Sequence, residues 1–357
     1  MAKVAIICDT HFGIRNDNIY FHEYFKKFFK NIFFPYLDEH NIKHVLHLGD
    51  VTDKRKNINF LTATTLHESF IKPLMDRDIE LHVSLGNHDV YFKNDNRVNS
   101  MDVLYGSTVY SDKIRAYSEP EEITIDGLKI LMVPWINKEN HNKSINAIKQ
   151  TNATFLMGHL QIEGCLMQKG IICENGISPS IFNSFDSVYS GHFHHASKLS
   201  NISYLGNFAQ FYWDDYKTDK GFDVLDTKTF EKVRVKNTYD IFHKYFYNDQ
   251  ESSLQDMLDD INHNYDGTYV KLIVDHRENH QQFDSFVKEF ENRNLIDLKI
   301  IEDIIDLDEM KSDEIVNDAE DTLTILGKYT REVDSSSNRL NVESFLSSLY
   351  REAAEIK

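Results

Sequence analysis

The most constraining feature of the chain is a pattern that recurs five times in its first 200 residues. A short apolar or β-branched run stops at a tight turn, and the turn carries Asp, His or Asn. Residues 4–8 lead to Asp9-Thr10-His11, and 44–48 lead to Gly49-Asp50-Val51-Thr52-Asp53. Residues 81–85 lead to Gly86-Asn87-His88-Asp89, 154–157 to Gly158-His159, and 187–190 to Gly191-His192-Phe193-His194. Short apolar runs bounded by glycine read as buried strands. In open α/β sheets, sites form beyond the carboxyl ends of strands. Five such ends predict one site assembled by five strands.

Helical stretches lie between these runs. Residues 18–37 place Tyr20, Phe21, Tyr24, Phe25, Phe28, Phe29, Ile32 and Phe33 at helical spacing, with Pro35 near the end. Residues 60–75 give a second helix with Pro73 in its final turn. Residues 122–125 and 128–133 form a hairpin around Asp126-Gly127. Strands near 203–205, 222–225 and 232–236 complete a first α/β domain over 1–236. Residues 237–302 alternate strand and helix as a separate small α/β unit. An acidic linker follows at 303–320; residues 302–321 hold ten acids against one lysine. Residues 321–357 carry two short amphipathic helices, with Leu323 and Leu326 on one and Phe345, Leu346 and Leu349 on the other. So short a tail buries no core of its own. Its stripes either fold back on the chain or dock on a partner.

Composition excludes several classes. With 41% hydrophobic and 27% charged residues, the chain of 357 is neither disordered nor fibrous. No apolar stretch is long enough to span a membrane, and the first residues read as a strand rather than a signal peptide. Cys8, Cys165 and Cys173 are odd in number and lack C-x-x-C spacing. They fit packed thiols in a reducing, cytoplasmic compartment rather than a disulfide framework or a zinc ribbon. The net charge of −18 is uneven: residues 1–235 carry −3 and residues 236–357 carry −15. A nucleic-acid binder is usually basic, so composition by itself argues mildly against that role.

The turn residues carry the chemistry. Two divalent ions ~3.5–4 Å apart need a bridging carboxylate and mixed nitrogen and oxygen ligands. Asp50, on a glycine turn, has the two oxygens to bridge. Asp9 with His11, and His192 with His194, stand at i, i+2 and can each reach one ion, and Asn87 adds a neutral oxygen. Imidazole and oxygen donors without thiolate favour manganese, iron or zinc in a catalytic rather than a structural site. Taken singly, each motif is ordinary turn chemistry; the force lies in five of them, in order, each at a strand end.

Asp9-x-His11, Gly49-Asp50-x-x-Asp53, Gly86-Asn87-His88-Asp89, Gly158-His159 and Gly191-His192-x-His194 resemble the five motifs of the calcineurin-like metallophosphoesterases. Their order and layout are most similar to the SbcD-type DNA-repair nucleases, the meiotic-recombination-eleven family, including its T-even bacteriophage branch. The resemblance implies a metallophosphoesterase sandwich of two facing β-sheets flanked by helices, then a small α/β cap and C-terminal helices. It implies two ions, manganese preferred over magnesium, iron or zinc. Asp9, His11, Asp50 and His194 would hold the first; Asp50, Asn87, His159 and His192 would hold the second. His88 matches the family's catalytic histidine, which stands off the metals and assists the leaving 3′ oxygen.

The resemblance also implies 3′-to-5′ exonuclease action on duplex ends and endonuclease action on single strands. The expected partners are DNA, an SbcC-type coiled-coil ATPase bound by the C-terminal helices, and a second copy met through helices in 18–75. Asp53 departs from the pattern: many SbcD-type members have His there, and phosphoprotein phosphatases have Asp. It is expected to accept a hydrogen bond from His88 and keep that ring protonated; the plainer alternative is a cap on the next helix. Lys54, Arg55 and Lys56, then Lys93 and Arg97, are candidates for the DNA backbone, against the plainer reading of solvated charges. The aromatic helix either packs wholly as core or also meets a second copy. The 237–302 unit is either a DNA cap or a structural lid. Two rival functions share the ligand set: a phosphoesterase acting on phosphoproteins or small phosphodiesters, and a non-catalytic adaptor positioning DNA for an ATPase.

Overall fold

A computed structural model describes residues 3–168, 170–261 and 265–302. The expected linker at 303–320 and the stripe of Leu323, Leu326, Phe345, Leu346 and Leu349 lie outside these residues. Packing divides the chain into two units, Met1–Phe211 with Lys217–Ile241, and Tyr212–Tyr216 with the residues from Phe242 onward. The boundary expected after residue 236 thus falls at Ile241, and a short loop of the first stretch is given over to the second unit.

In the first unit, β1 (Lys3–Ile7), β2 (His44–His47) and β3 (Glu80–Ser84) run parallel side by side, with Ile114–Tyr117 parallel beyond β3. Gly221–Asp226 and Lys232–Lys236 continue the sheet antiparallel on the other side of β1. A second six-stranded sheet orders Ser197–Leu199, Ile202–Tyr204, Ser187–Gly191, Phe155–His159, Leu128–Val133 and Glu121–Ile125. Alternate residues of both sheets, among them Val4, Ile6, Leu46, Ile130, Met132, Phe155 and Met157, form one core. This is the expected two-sheet α/β sandwich. The opposite face of the second sheet, through Leu131, Val133, Leu156 and Val188, packs with Ile148 and Phe182. Strands buried on both faces read as continuous apolar runs, which is why they were visible in the sequence.

The two long helices differ from their sequence reading in one respect. Ile19–Phe28 passes through a π-helical turn, Phe29–Phe33, into Phe34–Glu39. Phe60–Leu66 passes through His67–Ile71 into Lys72–Asp76. Both helices therefore continue beyond Pro35 and Pro73. A proline lacks an N–H and crowds the carbonyl four residues back. Those carbonyls belong to Asn31 and Ser69, inside the two π turns. A turn widened to i→i+5 absorbs the missing bond without ending the helix. The aromatic stripe is mostly core: Phe21, Phe25, Phe28, Phe29 and Phe33 are buried. Phe29 lies 5.0 Å from Phe70 between ring centroids, and Phe33 lies 4.8 Å from Phe222.

The second unit has three parallel strands, Phe242–Asn248, Tyr269–His276 and Asp297–Ile301. Its helices are Leu254–Asp260 and His280–Glu291. Tyr247, Val270, Leu272, Phe286 and Phe290 share its core. Among the described residues, no helix is long and apolar enough to cross a membrane.

Candidate metal centre

The five turns meet at the carboxyl ends of their strands. Backbone bonds lock the first turn to the second: Asp9 N–H donates to Gly49 O, and His11 N–H donates to Asp50 O, each at 3.0 Å. Asp9, His11, Asp50 and His192 hold φ values of 52°, 40°, 55° and 90°. Non-glycine residues seldom adopt that region, and each such residue costs on the order of 1–3 kcal/mol. The glycines beside them give room for the neighbouring side chains. Gly49 has φ 93°, and a Cβ there would stand 2.5 Å from His159 Nδ1. A Cβ on Gly86 would collide with the Asp50 carboxylate.

The Asp89 carboxylate ties the turns together. It accepts from the backbone N–H groups of Asp50, Val51 and Gly86 at 2.8, 2.8 and 2.9 Å, and from Thr52 at 3.2 Å. Sequence reasoning placed Asp89 within its motif and assigned it no role. Its position three residues after Gly86, in a turn that must face another turn, was the available signal.

The donor atoms fall into two buried trios, Asp9–His11–His194 and Asp50–His159–His192, within each of which the atoms lie no more than 4.8 Å apart. His159 Nδ1 donates to Leu48 O at 2.8 Å. Its Nε2 then faces Asp50 Oδ2 at 3.3 Å and Asn87 Oδ1 at 3.0 Å. His11 Nε2 faces His194 Nε2 at 3.1 Å and Asp50 Oδ2 at 3.5 Å. Asp50 Oδ2, His192 Nδ1 and His194 Nδ1 are buried without a hydrogen-bond partner among the described residues. Electron-rich atoms facing one another in a dry site need a positive charge between them. Protonation of His11 and His159 beside Asp50 is favoured by its negative charge. Burial opposes protonation of His11, but the hydrogen bond to Asp53 and the charge of Asp50 push it up to about 9. His159, likewise opposed by burial, is raised to about 9 by Asp50. Burial and the neighbouring His159 push His192 down to about 3. Burial would raise Asp50, but the His159 and His88 rings hold it well below the carboxylate range. Imidazole and carboxylate atoms aimed at shared points, without thiolate, fit divalent cations of the zinc, manganese or iron kind.

The pairing expected between the Asp53 carboxylate and His88 is not what forms. His88 Nδ1 bonds the Asp53 backbone carbonyl, and the Asp53 carboxylate takes His11 Nδ1 at 3.2 Å. Asp53 N–H bonds Phe12 O at 3.1 Å, which holds the residue beside the first turn, within reach of His11. Asp53 does not cap the following helix either, since Asn59 accepts from Thr62 N–H there. His88 itself is held by its own N–H, which donates to Asp50 Oδ1 at 2.8 Å.

The candidate cations are unequal. Lys54 is 3.1 Å from Asp17, and Arg97 is 2.6 Å from Asp95. Arg55 is half-buried, Lys93 is exposed, and exposed Lys56 lies 5.7 Å from the Tyr91 ring centroid. Trp135, absent from the sequence reading, borders the centre: its ring lies 5.1 Å from His192 and 6.1 Å from His159. Only its place two residues after a buried strand hinted at this.

Comparison with known proteins now bears on this geometry. The calcineurin-like phosphoesterase family model matches residues 2–196. Exonuclease subunit 1 of Enterobacteria phage T4 is 29% identical over 227 residues, covering 64% of this chain and 65% of that one. The SbcD component of nuclease SbcCD from Staphylococcus saprophyticus is 25% identical over 163 residues, covering 41% of this chain and 39% of the relative. The chain therefore spans less than two thirds of the length of either relative. A solved archaeal phosphodiesterase aligns with a TM-score of 0.34 and 12% identity, covering 66% of this chain and 99% of that one. The motif resemblance agrees with the family match and with both named relatives. With more than half of its length matched by that one model, and with buried trios suited to divalent cations, this chain belongs to the calcineurin-like phosphoesterase family, whose members depend on divalent metals.

Proposed function

We propose that the chain is a DNA nuclease that hydrolyses phosphodiesters with two divalent cations, manganese preferred. The observation that carries this reading is the pair of adjacent buried trios with Asp50 Oδ2 left for a cation between them. Asp9, His11, Asp50 and His194 would hold one ion; Asp50, Asn87, His159 and His192 would hold the other. Bound there, the cations would offset phosphate charge and lower the pKa of water toward neutrality. The protein's own residues do the rest. His88, anchored through its N–H and Nδ1, keeps Nε2 for the proton delivered to the leaving 3′ oxygen. Asp53 fixes the ring of His11. Trp135 forms an apolar wall beside His192.

Nuclease action, rather than cleavage of small phosphodiesters or phosphoproteins, is favoured by the names of both relatives and by the presence of a second unit. Lys56, Lys93 and Arg55 are proposed as backbone contacts; Lys54 and Arg97 would first have to leave Asp17 and Asp95. The second unit is proposed as a DNA cap, and the tail as the dock for an SbcC-type ATPase. Ile19, Tyr20 and Phe60 stay exposed at the starts of the two long helices and are proposed for contact with a second copy. The test is purified protein with Mn²⁺ offered duplex DNA, single-stranded DNA, a cyclic nucleotide and bis-p-nitrophenyl phosphate, with and without the ATPase. DNA cleavage lost in His88→Gln is the expected result. Hydrolysis of the small esters with no cleavage of DNA in either condition overturns the proposal.

A further inference from the structure

The amino ends of β2 and β3 carry a second polar cluster, at the opposite end of these strands from the turns of Asp50 and Asn87. His44 pairs in register with Glu80, and Leu46 with His82. His44, Glu80 and His82 thus share one face of two adjacent central strands. His44 Nδ1 lies 3.6 Å from Glu80 Oε2, and His82 Nε2 lies 3.8 Å from that same oxygen. The three atoms lie within 4.8 Å of one another. Both nitrogens are shielded from solvent and have no hydrogen-bond partner among the described residues.

The tautomer of His82 follows from its neighbours. Its Nδ1 lies 2.8 Å from the Tyr117 hydroxyl. A proton on Nε2 would find no acceptor in hydrogen-bond range, since Glu80 is too distant. A proton on Nδ1 is satisfied by Tyr117, which leaves a lone pair on Nε2. At 3.8 Å, the approach of His82 Nε2 to Glu80 Oε2 is too long for a hydrogen-bonded pair. A neutral nitrogen and a carboxylate oxygen, both electron-rich, face each other. Glu80 Oε1 is oriented from the other side by Lys113 at 3.7 Å, which also pairs with Asp78 at 3.0 Å.

We propose that His44 Nδ1, Glu80 Oε2 and His82 Nε2 form a mononuclear site for a zinc-like divalent cation, separate from the centre at the other strand ends. Ligands ~2.0–2.2 Å from a tetrahedral zinc stand roughly 3.3–3.6 Å apart, so the observed spacings need only a small rotamer adjustment. Two imidazoles and one carboxylate leave a fourth position for water. Tyr117 and Lys113 serve as the outer partners that orient such ligands. The arrangement would tie β2 to β3 below the sandwich core.

The test is the zinc content of the whole chain after stripping with EDTA, reloading with Zn²⁺ and removing excess, together with anomalous diffraction at the zinc edge. His82→Ala and His44→Ala are each expected to lose one equivalent relative to the parent, and Tyr117→Phe to bind that equivalent roughly 10-fold more weakly. Asp50→Asn should keep it, which separates this site from the fate of the nuclease proposal. Anomalous density between His44, Glu80 and His82 supports the site. Equal zinc content in folded His82→Ala and parent protein, or no density there at saturating zinc, overturns it.

Discussion

At their carboxyl ends, β2 and β3 deliver Asp50 and Asn87 through glycine turns, and Asp50 holds a left-handed φ of 55°. At their amino ends, the same strands carry His44, Glu80 and His82 on unbroken β-backbone. The first end is buried and strained, and its strain persists only because neighbouring turns over-determine it. The second is half-buried and unstrained, and its grouping comes from strand register alone. Strain is stored where several elements must place atoms at one point. Register suffices where two strands already lie side by side. A chemically demanding centre and a plain cation site can thus be read apart by their backbones.

The largest effect that can break this contrast is at Asp50. Asp50→Asn removes the shared carboxylate and should lower phosphodiester hydrolysis by roughly 10³-fold, with loss of bound metal at that end, measured by turnover and metal content together. Full activity in the variant would mean that the carboxyl ends do not form the reactive centre. His88→Gln should cost roughly 10² to 10⁴ in turnover while metal content stays at the parent level, because His88 Nδ1 is taken by Asp53 O and the ring groups with His11 and Asp53 at the rim rather than with either fully buried trio. Metal loss in that variant would make His88 a ligand. Asp53→Asn should act the other way round. Its carboxylate orients His11, so metal affinity should drop by roughly 10- to 100-fold, read by calorimetric titration with Mn²⁺. Turnover at saturating Mn²⁺ should recover. A turnover defect that Mn²⁺ fails to rescue would return Asp53 to a partnership with His88.

The two ends also differ in how legible they were. The carboxyl-end turns could be read because four of the five open on a glycine, at Gly49 and Gly86 where a Cβ would strike His159 or Asp50, and all five carry ligand-type side chains. The strands before them were visible as apolar runs. The partner of Asp53 was not legible, since it depends on the Asp53 N–H bond to Phe12 O. The π turns were hidden too, because proline marks a helix stop and a widened turn equally well. His44, Glu80 and His82 stand 36 and 2 residues apart in sequence, and no local spacing rule joins them. Only the pairing His44↔Glu80 brings them together. The second unit was legible as alternating strand and helix.

The smallest effect sharpens the contrast most directly, because it probes the backbone rather than the chemistry. Asp89 accepts from four backbone N–H groups across two turns. In Asp89→Asn, the amide nitrogen has hydrogens where the turns present donors, so at least one buried N–H loses its acceptor. Such a loss costs about 2 kcal/mol, measured as a lowered denaturant midpoint of the first unit. Glu80→Gln, at the unstrained end, removes only a half-exposed ion pair to Lys113, and should cost no more than ~1 kcal/mol in the metal-free protein. Equal losses in the two variants would show that the turns are held by sheet packing without the Asp89 clamp. In that case the left-handed residues of the centre would owe their conformation to the layers beneath them.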